Sequence, residues 1–169
     1  LRRERPQVSL HAEAHTAEVL IRKLLDGVLD LAFMFEPPQF AGLLVDEVPP
    51  IRLILVAARP GLSAREATGP GYIRTDWGTS FAITHARHFP TMPPPTVRVS
   101  LGRMALAFLL ECGGATYLAE PMVEEHLKTG RLHRVEDAPV IDRQVYAVSP
   151  VTAERRALIE DALHFLQPV

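Results

Sequence analysis

The apolar positions of this chain recur with two periods, every second residue and then every three to four, and the periods alternate. That pattern predicts strands followed by helices. Val8, Leu10 and Ala12 alternate with polar neighbours, so residues 7–12 read as a strand. Thr16 offers an N-cap oxygen to a helix on which Ala17, Leu20, Ile21, Leu24 and Val28 form one apolar stripe, with Gly27 as its stop. Residues 29–35 and 51–58 are short and almost wholly apolar, the pattern of parallel strands buried on both faces. Residues 72–74 begin a short strand, 80–88 predict a helix and 96–99 another strand. Ser100 can cap a helix carrying Met104, Leu106, Ala107, Leu109 and Leu110, ended by Gly113 and Gly114. Residues 115–119 read as a strand, Pro121 suits the first position of the next helix, and Gly130 stops it. Strands at 132–135 and 145–148 follow. Thr152 then caps a last helix with Leu158, Ala162 and Leu166 on one face, joined by Ile159, Leu163 and Phe165.

Strands alternating with helices predict an α/β architecture with mostly parallel sheets. Similar blocks of strand and helix lie on either side of about residue 60, which suggests two lobes with a cleft between them.

Composition narrows the function more than the fold. The 169 residues suffice for one domain or two small lobes, and a 47% hydrophobic content excludes intrinsic disorder. A net charge of −2 lacks the basic footprint of a domain that lives on nucleic acid. No apolar run is long enough to span a membrane. Residues 1–5, LRRER, have no apolar core after them and do not read as a signal peptide. The single cysteine excludes a disulfide framework and fits a reducing compartment.

Candidate chemistry is sparse. His11 and His15 flank Glu13, but the order differs from the His-Glu-x-x-His of a zinc helix, and His85 and His88 have no third ligand near them in sequence. We expect no metal and no cofactor. Cys112 is predicted at a helix C-terminus, where the dipole opposes a thiolate, so its expected role is core filling. No phosphate-binding glycine loop and no nucleophile elbow occur. Asp76, Ser80 and His85 could be assembled into a hydrolytic triad only on local spacing. The most informative stretch is residues 75–81, TDWGTSF. It sets hydroxyls, a glycine and the only tryptophan between a strand and a helix start, a place suited to a polar or anionic ligand. The ordinary alternative is that Thr79 or Ser80 caps the helix and Trp77 fills a core.

Several segments together resemble the effector-binding domain of LysR-type transcriptional regulators. They are PQVSL at 6–10, LIRKLLDGVLDLAF at 20–33, RLILV at 52–56, LECGGATYLAEP at 110–121, GRLHRV at 130–135 and VYAVSP at 145–150. The resemblance implies a type II periplasmic-binding-protein-like α/β fold, two lobes joined by two crossover strands. Lobe I would hold residues 1–57 and 138–169 and lack the family's first strand and most of its first helix; lobe II would hold 58–137. The family's winged helix-turn-helix is expected upstream of these residues. Carried over by position, a small effector would be lined by His15 and Thr16 from lobe I and by Thr75, Trp77, Thr79, Ser80 and Phe81 from lobe II. The implied protein is a cytoplasmic sensor that closes on its effector, is no enzyme, and reaches DNA only through the upstream domain. It would form an antiparallel homodimer pairing residues 1–10 with helix 102–112. A transporter's solute-binding protein, or less plausibly a hydrolase using Asp76, Ser80 and His85, would share the fold.

Overall fold

Thr16 ends an extended stretch and α1 (Ala17–Leu25) begins there, with Leu24 fully buried on its inner side. Gly27, at φ 69°, closes the helix: its N–H donates to the Leu24 carbonyl and the Val28 N–H to that of Lys23. This double bond pattern needs a left-handed residue, which glycine adopts without strain. The computed structural model describes residues 6–153 and 156–164. It divides into two units, Leu1–Pro50 with Gln144–Val169, and Ile51–Arg143.

In the first unit α1 is followed by β1 (Ala32–Met34) and by the outer half of β2 (Leu43–Ala57). Leu24, Ala32, Met34, Leu43 and Val148 form its core, with Leu20, Ile21, Leu29 and Tyr146 packed around them. The strand expected at residues 7–12 is not formed. Leu10 and Ala12 are exposed, and no ladder partner stands beside them among the described residues.

The second unit opens with the inner half of β2, where Leu53, Ile54, Leu55, Val56 and Ala57 are all buried. A short helix that periodicity missed, α2 (Ala64–Ala67), is held by a capping box between Ser63 and Glu66. Then come β3 (Ile73–Thr75), α3 (Thr79–His88), β4 (Val97–Val99), α4 (Gly102–Cys112), β5 (Ala115–Ala119), α5 (Glu120–Lys128) and β6 (His133–Arg134). Leu101, not Ser100, precedes α4 as its N-cap residue, and Pro121 occupies the second position of α5. β7 (Ile141–Pro150) leads back into the first unit, where α6 (Arg156–His164) buries Ile159. Thr152 sits in a turn before it, and Phe165 and Leu166 lie outside the described residues.

Strand direction departs from expectation. β1 runs antiparallel to β7, pairing Ala32 with Val148, and β2 runs antiparallel to both β5 and β6. β3 and β4 form a parallel ladder, with a parallel bridge from Tyr72 to Ala115 beside it. An unbroken apolar run reports burial on both faces; it carries no information on direction. The short β1 is covered on one face only, since Phe33 is 47% exposed.

Candidate functional site

The polar turn expected to bind ligand lies between β3 and α3 in the second unit. Thr75 is buried, and its hydroxyl meets that of Thr116 on β5 at 3.0 Å. Asp76 bends the chain: its carboxylate accepts from the Gly78 N–H at 2.9 Å, and its own N–H donates to the Val99 carbonyl. Trp77 is buried with its indole N–H on the Tyr117 carbonyl at 3.0 Å, while its carbonyl accepts from Arg143 Nε at 2.6 Å. Two carbons of the Trp77 ring, Cη2 and Cζ2, come close to the start of α4, where Gly102 has no side chain to obstruct them. Gly78, at φ 84°, turns the chain into α3, a conformation that residues bearing a Cβ resist.

Neither Thr79 nor Ser80 caps α3, since Gly78 holds the N-cap position and no side chain bonds across it. Both residues are exposed, and the first turn of α3 contains no acidic residue. The positive end of the helix dipole therefore faces outward with hydroxyls around it. Phe81 is buried beneath, with the Arg74 guanidinium 5.1 Å above its ring. Of the five residues predicted in this unit, Thr79 and Ser80 present side chains to the surface. Thr75, Trp77 and Phe81 build the floor under them.

His15 and Thr16, predicted from the first unit, are both exposed at the start of α1. Thr16 holds the N-cap position without a side-chain cap bond. His15 Nε2 lies 3.1 Å from a Glu13 carboxylate oxygen, and the other oxygen takes the ammonium of Lys23. Hydrogen bonds from Lys23 and then His15 hold the Glu13 carboxyl down at about 2.

His85 is 1% exposed, and both its nitrogens are taken. Arg74 Nη1 lies 2.6 Å from Nδ1, and the Tyr72 hydroxyl 2.9 Å from Nε2. No nitrogen remains for Ser80, and Asp76 is committed to its turn, so the hydrolytic triad is not assembled. Among the described residues no group of three or more His, Cys, Asp and Glu is placed to hold a metal ion. Cys112 ends α4 exposed, which corrects its expected place in the core: it lies off the stripe of Ala105, Leu106 and Leu109 that is buried. The partners Thr116, Tyr117 and Arg143 gave no sequence signal, because a buried polar residue inside an apolar strand looks like any interruption of the pattern.

Residues 1–169 match the family of LysR substrate binding domains. The chain belongs to that family. Its LysR relatives include the HTH-type transcriptional regulator HdfR of Salmonella schwarzengrund, 26% identical over 162 residues, 95% of this chain and 56% of that regulator. The chain thus spans little more than half the length of the curated relatives it matches. Among solved structures, the apo regulatory domain of HypT from Salmonella typhimurium superposes with a TM-score of 0.75 at 21% identity, covering 95% of this chain and 83% of that one. The reduced regulatory domain of OxyR from Pseudomonas aeruginosa gives a TM-score of 0.75 at 20% identity, covering 98% and 86%. The LysR fold is the expected type II periplasmic-binding-protein-like α/β fold. No helix among the described residues is long and apolar enough to cross a membrane.

Proposed function

We propose that this chain is the ligand-sensing domain of a LysR-type transcription regulator, binding a small effector and passing on the change in shape. The family match across residues 1–169 carries the reading. The regulator is cytoplasmic and meets DNA through a separate domain, in keeping with relatives nearly twice as long. The effector contacts are His15 and Thr16 on one side and Thr79 and Ser80 on the other. Thr75, Trp77 and Phe81 shape the site from below. An acid-free first turn on α3 favours an anionic group there. Binding acts by population shift, because a ligand touching both units favours the arrangement that brings its contacts together.

The domain pairs with a second copy through α4. Its inner stripe of Ala105, Leu106 and Leu109 is buried, while Met104 and Phe108, one turn apart, are 46% and 40% exposed. Phe108→Glu should convert the dimer to monomer in sedimentation velocity at micromolar concentration, and an unchanged profile would remove α4 from the interface. A solute-binding or hydrolytic role is disfavoured by the named relatives and by the engagement of His85. Calorimetric titration with a panel of small carboxylates, amino acids and aromatic acids tests the sensing role. A binder should lose at least tenfold in affinity with Ser80→Ala and with His15→Ala. Turnover of a bound compound, or binding indifferent to both changes, would refute the reading.

A further inference from the structure

Helix α3 is seated on its unit by two buried side chains, Phe81 and His85, one turn apart. That half of the anchor is a histidine has a chemical consequence. Arginine only donates hydrogen bonds, so the contact from Arg74 to His85 Nδ1 requires a lone pair on that nitrogen. The neutral ring then carries its proton on Nε2 and donates it to the Tyr72 oxygen. The imidazole is enclosed by rings, with the Phe89, Phe81, Tyr72 and Tyr117 centroids 5.0 to 5.7 Å away. A second proton would break the Arg74 bond and face the guanidinium at contact distance on a ring only 1% exposed.

We propose that Arg74 and His85 form a proton-sensitive latch: protonation of His85 unseats α3 and carries Thr79 and Ser80 away from β3. The latch stands on this geometry whether or not an effector binds at those residues. The groups that face His85 are Arg74 on β3, Tyr72 just before it, His88 on α3 itself and Tyr117 on β5. Burial first, then the charges of Arg74 and His88, hold the imidazole down at about 4. Burial holds the Tyr72 and Tyr117 phenols above their usual range, so both stay neutral throughout. Because the seated ring resists protonation and the released ring does not, release is favoured as pH falls from about 6.5 to about 4 and levels off below. Across that window the equilibrium for opening α3 should rise roughly tenfold per pH unit, about 300-fold in all.

Hydrogen exchange of the intact chain, corrected for intrinsic rates, measures this opening directly. Protection of the α3 amides should fall about tenfold per pH unit across the window, while that of β5 is retained. In His85→Asn, whose side-chain oxygen can still accept from Arg74 but cannot titrate, the pH dependence of α3 should vanish. Equal pH dependence in both proteins, or none in the wild type, would overturn the latch. Nitrogen NMR of wild-type His85 decides the matter even if the variant fails to fold. An Nε2–H tautomer at pH 7 that persists below pH 6 supports the proposal; a protonated Nδ1 or an ordinary titration near 6.5 overturns it.

Discussion

Gly102 begins α4, where alanine would ordinarily be the better residue, yet Gly102→Ala should destabilise this chain. A Cβ built there lies 2.8 Å and 3.0 Å from two carbons of the Trp77 ring and 3.3 Å from the terminal methyl of Met122. The ring cannot slide aside freely, because its indole N–H is tied to the Tyr117 carbonyl and the residue is buried. The intrinsic gain of alanine over glycine in a helix is at most about 1 kcal/mol, and less in a first turn. Overpacking a buried contact costs about 1–3 kcal/mol. The balance is a loss of about 1–2 kcal/mol, or about 2–8 °C in Tm at this chain length. Urea denaturation followed by far-UV circular dichroism measures it. Trp77→Phe removes the ring atoms that clash, so in that background Gly102→Ala should be neutral or stabilising. The double-mutant cycle should return a coupling of about 1–3 kcal/mol. A stabilised single variant, or a coupling near zero, would show that the ring does not press on α4.

Three further outcomes follow from the second unit. Gly114→Ala should abolish folding or cost more than about 3 kcal/mol, because the added carbon meets the Gly71 carbonyl oxygen at 2.2 Å in a backbone at φ 98°; a soluble variant with a wild-type melting profile would contradict this. Thr75→Val should cost about 1–3 kcal/mol by stranding the buried Thr116 hydroxyl, and the Thr75→Val, Thr116→Val double variant should recover much of it in the same melts. Cys112→Ser should stay within about 0.5 kcal/mol of wild type, since the side chain is exposed.

Local chemistry made much of this fold legible in the sequence. β5 spans the residues its apolar run predicted, and α3 and α1 start within a residue of their expected positions because glycine and threonine mark those ends. Long-range pairing was not legible. The strand expected at residues 51–58 begins much earlier, at Leu43, and β2 continues through Pro49 and Pro50, since a partly exposed strand tolerates a missing donor. Residues 7–12 have the alternation of a strand, yet alternation forms a strand only where a neighbour supplies the hydrogen bonds. The turn that carries the candidate site was legible as a segment and not as an orientation. TDWGTSF holds the turn, but which members face outward is set by Thr116, Tyr117 and Arg143, which are distant in sequence.

The central proposal, that this LysR domain senses an effector through Thr79 and Ser80 together with His15 and Thr16, is tested most directly by amide chemical-shift mapping. A compound selected by calorimetry would be titrated into the isotope-labelled chain. The account predicts concentration-dependent shifts at the first turn of α3 and at the start of α1, saturating with one affinity. Shifts confined to the groove that Phe40 forms with Ile21 and Leu25 of α1, or absent from both helix starts, would contradict it.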